Sequence, residues 1–218
     1  MLYDPQIDLN DDTTMSHTLV IRMVGVGKNV LDVGCARGNM GRILAREFGC
    51  TVSGIEIDPE AAALCHDIYQ QVVIGDIEEL TSFEQLRNSP FNVIIFSNIL
   101  EHLKNPEIVL EAAKKLLHPK GYVLVSLPNV VTLRLRLGFL LGKFEYTEQG
   151  IMDRTHLHFF TLKTATEMFQ SCGYRIVAFD YLVGPRLGKR LKKIRFPRRL
   201  LPPTIFGTEF IFKLKPMD

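Results

Sequence analysis

No stretch of the 218 residues is apolar over the roughly 18 positions that a membrane-spanning helix needs. Asp4 and Asp8 stand where a secretory leader would carry its basic start. A cytoplasmic location is therefore expected. Cysteine is sparse: Cys35, Cys50, Cys65 and Cys172 are scattered, with no C-x-x-C pair and no ligand spacing to histidine. That excludes a disulfide framework, fits a reduced compartment and leads to no expectation of a metal. Internal repeats and low-complexity tracts are lacking as well, which excludes solenoid architectures.

What is present is ordinary in amount and uneven in distribution. With 46% hydrophobic and 23% charged residues the composition is that of a globular protein, and the length suits one large α/β domain. The net charge of +2 hides an asymmetry. Between Arg186 and Arg199 there are eight basic residues and no acid, so the remainder carries 18 basic against 24 acidic residues, a net of −6.

Apolar β-type runs alternate with helix-type segments. Strands are expected at Val30–Val33, Val52–Ile55, Val72–Ile74, Val93–Phe96, Tyr122–Ser126, Ile176–Tyr181 and Ile205–Lys213. Helices are expected at Met40–Phe48, Pro59–Ile68, Asn105–Leu117 and Leu162–Cys172. Asp58 before Pro59, and Asn105 before Pro106, read as N-caps with proline in the first helical turn. The "HPKG" stretch, His118–Gly121, reads as the turn ending the third of these helices, and Gly173 as a C-cap. Strands apolar on both faces imply a doubly wound, Rossmann-like α/β fold: a mostly parallel seven-stranded sheet with helices on both faces and the last strand antiparallel.

The stretch "VLDVGCARGNMG", Val30–Gly41, turns from a buried strand into a cluster of glycines. A dinucleotide loop would read G-x-G-x-x-G, but here the glycines are Gly34, Gly38 and Gly41, with Ala36 in the middle place. Asp32, at the strand end, would repel a pyrophosphate and attract a positively charged ligand. With D32-V-G34-C-A36-R-G38 the chain resembles the class I S-adenosylmethionine-dependent methyltransferases, whose first motif runs D-x-G-x-G-x-G. The resemblance implies that S-adenosylmethionine is the cofactor and that Asp32, Gly34, Ala36 and Gly38 line its site. It implies that Glu56, 22 residues after Gly34, accepts from the ribose with Ile57 beside it. It further implies that Asp76 and Ile77 meet the adenine, and that Ser97 and Asn98 lie under the cofactor.

On the acceptor side, "VIIFSNILEHL" lacks the [DN]-P-P-[YF] signature of nucleobase-amine methyltransferases, and no Pro-Cys dipeptide is available for a cytosine mechanism. Together with the acidic body this argues against nucleic acid. The form "S-N-x-L-E-H-L" resembles small-molecule methyltransferases, with His102 either a helix-start residue or a cleft residue. An excursion follows "SLPNV", from Val130 to Phe160, and the resemblance implies that it caps the acceptor. Arg134 and Arg136 within it either meet an anionic group or are solvated. "DRTHLHFFT", Asp153–Thr161, resembles a subgroup associated with surface-glycan and secondary-metabolite pathways, matched at Asp153, Arg154, Thr155, His156, Phe160 and Thr161. Read as extended, the segment points His156 and His158 to one side. Three readings stay open for them: a general base or acceptor-orienting residue, a structural histidine, or a D-x-x-H-x-H metal cluster. His156 and His158 are the catalytic candidates, and His156, inside the pattern, is the preferred one.

The expected organisation is one domain: an N-terminal cap at 1–27 with Tyr3 near the cofactor, a core at 28–183 with a lid at 130–160, and a basic connection and last strand at 184–218. The basic stretch reads as a solvated connection, as a peripheral contact with the inner membrane face through 186–199, or as a site for an acidic ligand. Methyl transfer to a hydroxyl, or an amine, of a sugar or other small metabolite is the expected activity. The alternatives are a non-catalytic S-adenosylmethionine-binding protein and a methyltransferase for a lipid-linked acceptor. Nothing in the sequence bears on the oligomeric state.

Overall fold

The sheet is built from strands that have no polar face to give to water. In β1 (Asn29–Val33) and β4 (Phe91–Ser97) almost every side chain is buried. Successive residues point to opposite faces, so one set, Leu31, Val33, Ile94 and Phe96, enters one core, while Val30, Val93 and Ile95 enter another on the other side. Both cores need covering, and each fully buried side chain of this kind contributes about 1.5–3 kcal/mol. The computed structural model, which describes residues 16–86, 90–184 and 200–217, shows how this is met.

Seven strands lie in the order β3-β2-β1-β4-β5-β7-β6. The first five, with β2 at Thr51–Glu56, β3 at Gln71–Ile74 and β5 at Leu117–Pro128, are parallel. The last, β7 (Gly207–Pro216), runs antiparallel between β5 and β6 (Tyr174–Val183). Helices α1 (Ser16–Val24) and α2 (Asn39–Phe48) pack on one face through Leu19, Ile21, Met40 and Leu44. The short α4 (Thr81–Glu84), α5 (Pro106–Lys114) and α7 (Leu162–Ser171) pack on the other through Phe83, Leu110 and Phe169. The doubly wound arrangement and the antiparallel last strand are as the sequence leads one to expect.

Several local expectations need correction. Helix α3 covers only Pro59–Ala63 and is followed by i→i−3 turns to Tyr69, because Cys65 and Tyr69 must both turn in against the glycines of the β1–α2 loop. Helix α5 ends at Lys114, and "HPKG" is a bulged excursion inside β5, between the pairs Phe91–Leu117 and Val93–Tyr122. Asn105 makes no side-chain cap; its amide and that of Lys104 donate instead to Glu78. Asp58 does cap α3 through the amides of Glu60 and Ala61, and Gly173 closes α7 at φ +69. Ile205 and Phe206, expected to open the last strand, belong instead to the short α8 (Pro203–Phe206).

The segment expected as an N-terminal cap includes α1, which is a layer of the core. Its last turn is held by Tyr122, whose hydroxyl donates to the carbonyls of Met23 and Val24. Tyr3 and the whole basic stretch 186–199 lie outside the described residues.

Candidate functional site

The C-terminal ends of β1, β2, β4 and β5 meet at one edge of the sheet, where the order reverses between β1 and β4, the usual place for a ligand in such folds. The loop from Gly34 to Gly38 is shaped by left-handed backbone: Gly34 at φ +71, Ala36 at +46 and Gly38 at +74. At Gly34 the missing side chain also matters, because a Cβ there would lie 2.2 Å from Ile99 Cδ1. Ala36 adopts the same region against the steric cost of its Cβ. An Ala36→Gly variant is therefore expected to be more stable by about 1 kcal/mol, read as a raised urea midpoint with unchanged slope.

What holds Ala36 there is Glu56. Its Oε2 accepts from the Ala36 amide at 2.7 Å and its Oε1 from the Asp58 amide at 3.0 Å, so one buried carboxylate ties the β1 loop to the β2 loop. Ile57 beside it is 64% exposed, an apolar face open at the rim. Asp76 lies one strand over, accepting the Glu78 amide at 2.8 Å, whereas the Ile77 side chain turns into the core.

Asp32 is 2% exposed and lies beneath the loop. Tyr69 donates to its Oδ2 at 2.8 Å. Burial lifts the Asp32 carboxyl to about 7, the Glu56 charge adds to this, and the Tyr69 hydrogen bond opposes it. The third glycine of the motif finds its reason here. A Cβ on Gly41 would sit 2.2 Å from the Tyr69 hydroxyl, so Gly41 is the slot in α2 that lets Tyr69 reach Asp32.

Beyond β4 the chain takes a second left-handed step at Asn98, φ +55. The Asn98 amide donates to Ser126, and Ser97 and Ser126 share a hydrogen bond at 3.1 Å. Glu209 of β7 joins them. Ser16, Asn98 and Ser126 hydrogen-bond it and pull its pKa down, but burial prevails and raises it; Oε1 remains buried with no partner. Nothing in the sequence reading singled out Glu209. Its signal was there: it alternates onto the same face as the buried Ile211, next to the apolar run Phe210–Phe212.

The 3₁₀ turn Leu100–His102 carries a second set. Glu101 is 1% exposed and its Oε2 has no hydrogen-bond partner. Burial raises its pKa well above the usual carboxylate range. The amides of Leu157 and His158 both donate to the Glu101 carbonyl, which brings the Asp153–Thr161 segment against this turn. That segment turns over 151–155 and bends at Leu157 rather than running extended, and the two histidines meet different neighbours. His156 meets the His102 ring edge-on at 4.7 Å, whereas His158 stacks near Phe160 and contacts the Lys104 carbonyl. Burial lowers the pKa of both His102 and His156 below the ordinary imidazole value.

The motif itself divides by task. Phe160 is buried in the core and Thr161 opens α7 with a capping box, while Arg154 forms an exposed ion pair with Glu148 at 2.6 Å. Asp153 and Thr155 hold His102, because the Thr155 hydroxyl donates to Asp153 Oδ1 at 2.6 Å and contacts His102 Nδ1 at 3.1 Å. In the excursion before it, α6 (Leu133–Leu140) buries no side chain. Arg134 is exposed, and Arg136 donates to the carbonyls of Val131 and Thr204.

A glycine-shaped loop beneath a switch point, with acids at the ends of β1, β2 and β3, agrees with the model of a methyltransferase domain that matches residues 17–178. The chain belongs to the class I S-adenosylmethionine-dependent methyltransferase family. It is 33% identical over 106 residues to a ubiquinone biosynthesis O-methyltransferase of Pectobacterium carotovorum, covering 47% of this chain and 44% of that one. The chain thus spans about half the length of the curated relatives it matches. Among solved structures, a S-adenosylmethionine-dependent methyltransferase from Archaeoglobus fulgidus superposes with TM-score 0.60 at 19% identity, over 92% of this chain and 94% of that one. The Burkholderia thailandensis 1,6-didemethyltoxoflavin-N1-methyltransferase, solved with bound 1,6-didemethyltoxoflavin and S-adenosylhomocysteine, gives 0.59 at 16%, over 93% and 76%. For this methyltransferase-family chain the residues fit the cofactor: left-handed glycines at Gly34 and Gly38 turn the loop at the strand ends, and the exposed apolar Ile57 stands beside two acids, Glu56 and Asp58.

Proposed function

We propose that this protein transfers the methyl group of S-adenosylmethionine to a hydroxyl on a small acceptor that carries an apolar flank. On this reading Asp32, Gly34, Ala36, Gly38, Glu56, Ile57, Asp76, Ser97 and Asn98 hold the cofactor, and Ile77, its side chain turned into the core, offers it only backbone. Bound there, S-adenosylmethionine supplies a methyl already activated on a sulfonium, so the protein's task is alignment of the acceptor oxygen and removal of its proton.

The observation that carries the reading is the corner made by Glu101, His102 and His156, which faces an aromatic wall. Two imidazoles and a buried carboxyl stand together there. Phe159 lies 6.2 Å from the His156 ring and 6.4 and 6.3 Å from Phe144 and Tyr146. Exposed Leu137, Leu140 and Leu141 continue the apolar surface along α6. Proton-accepting groups beside apolar surface suit a hydroxyl-bearing head on an apolar carrier. The glycan-associated look of Asp153–Thr161 supports a sugar head. The names of the curated relatives, ubiquinone biosynthesis O-methyltransferases, agree in the acceptor atom, oxygen. Among the described residues no helix is long and apolar enough to cross a membrane.

The test is transfer of labelled methyl from S-adenosylmethionine to three acceptors: a free sugar, the same sugar on a polyprenyl carrier, and a polyprenyl phenol. Label is expected on oxygen, with a higher kcat/KM for the acceptors bearing the apolar chain. Transfer to the free sugar alone would overturn the apolar flank. Tight cofactor binding without transfer to any acceptor would return the non-catalytic reading.

A further inference from the structure

The hydrogen bonds around the two imidazoles settle which nitrogen of each keeps a lone pair. The Ile151 carbonyl can only accept, so His156 Nδ1 carries its proton and donates to it at 3.1 Å. The single hydroxyl proton of Thr155 goes to Asp153, so at His102 the ring must donate, again from Nδ1. Both rings are therefore fixed with Nδ1–H held by an outer partner and Nε2 left with its lone pair. This is the arrangement in which ligating histidines are usually held. Beside them Glu101 brings a buried carboxyl group whose Oε2 has no hydrogen-bond partner. One ligand atom from each of the three residues lies within 4.8 Å of the other two.

We propose that Glu101, His102 and His156 form a binding site for a divalent transition-metal cation, Zn2+ in the first place. Two imidazoles and one glutamate, with a position left open, is a ligand set zinc uses in catalytic sites. Ligand atoms around tetrahedral zinc stand roughly 3.4 Å apart, so side-chain adjustments of about 1 Å close the site. The outer pairs Asp153–Thr155 and the Ile151 carbonyl orient the two rings, which gives the first half of the D-R-T-H run a task of its own.

The site deepens the function proposed above and takes its acceptor from that reading. The acceptor hydroxyl fills the open position and its proton leaves to solvent, since a bound cation lowers the pKa of such an oxygen. The oxygen lone pair then forms the new C–O bond while the C–S bond breaks, its electron pair returning to sulfur. His156 acts here as a ligand, and the cation takes over the acidifying role.

The experiment needs no acceptor. Protein freed of metal with a chelator is titrated with Zn2+ by calorimetry and with Co2+ by visible absorption. One equivalent is expected, with a cobalt spectrum of nitrogen and oxygen ligation. A thiolate charge-transfer band would report the alternative cysteine pair, since the sulfurs of Cys35 and Cys65 lie 4.0 Å apart. His102→Ala and His156→Ala should weaken binding by about 100-fold or more, and Thr155→Val, which removes only the outer clamp, by about 10-fold. S-adenosylmethionine titration of each variant shows that it is folded. Absence of stoichiometric binding, or a thiolate spectrum that His102→Ala leaves unchanged, overturns the site. Cation binding without S-adenosylmethionine binding would sink the proposed function and leave the site standing.

Discussion

Replacing Glu56 with alanine is expected to cost about 3 kcal/mol of stability and to weaken S-adenosylmethionine binding by 100-fold or more. Hydrogen bonds to a charged group are worth about 1.5–3 kcal/mol each, and Glu56 accepts two, from the amides of Ala36 and Asp58. Removal leaves both amides without their acceptor. It also releases Ala36, whose left-handed backbone is unfavourable for alanine and is kept in place by that bond. The β1 loop then loses the shape that the cofactor must meet, and any contact of Glu56 with the ribose goes with it. Urea unfolding measures the first effect and calorimetric titration the second. Amide hydrogen exchange at Ala36 tests the mechanism, since the amide should lose protection in Glu56→Ala while the centre of β1 keeps its own. A variant that binds the cofactor as the wild type does would remove Glu56 from the site.

Asp32→Asn is expected to raise stability at pH 8 and to lower cofactor affinity. The folded chain holds the Asp32 proton up to about 7, whereas the unfolded chain releases it near 3.8. The native state therefore binds the extra proton between these values. The stability associated with protonated Asp32 is fully present below about 3.8 and declines as pH rises to about 7, by an amount on the order of 4 kcal/mol. Asparagine keeps an acceptor for the Tyr69 hydroxyl and removes the charge. The variant should match the wild type near pH 4, exceed it above pH 7, and show a flatter profile between. Binding of a cationic ligand over ionised Asp32 releases the proton, so wild-type affinity should fall as pH drops below about 7, and that slope should vanish in the variant. Parallel stability profiles for the two proteins would show that the carboxyl titrates as an ordinary aspartate.

The proposed cofactor half of the site was more legible in the sequence than the proposed acceptor half, for a physical reason. Loop and acids lie at the ends of short strands whose apolar runs announce themselves, so Asp32, Glu56 and Asp76 can be placed by counting. What Asp32 touches cannot, because Tyr69 reaches it only after α3 gives way to turns and Gly41 opens a slot. Helix α1 was missed since "SHTLVIRMV" is rich in β-branched residues and has no acid in its first turn. Glu101 and Glu209 were passed over for opposite reasons. The first sits in a stretch that reads as a helix start, and the second in a strand whose partner, β5, is some 80 residues earlier in the chain. The metal-type convergence of Glu101, His102 and His156 depends on amides of residues 157 and 158 meeting a carbonyl at 101, a pairing with no trace in local spacing.

The position of β7 has a kinetic consequence. Strand β6 lies at the sheet edge but joins it only through β7, which is made later. Until residues 207–216 leave the ribosome, β5 keeps an open edge from Val123 to Pro128, and β6 has no strand to pair with. Closing this gap brings together segments far apart in sequence, which is the slow kind of pairing. The five parallel strands can therefore assemble first, and insertion of β7 is the late step that delivers Glu209 to Asn98 and Ser126 and lets Asn129 donate to the Gly207 carbonyl. A nascent chain is thus able to form the Gly34–Gly38 loop well before the β5–β7 side of the sheet is complete.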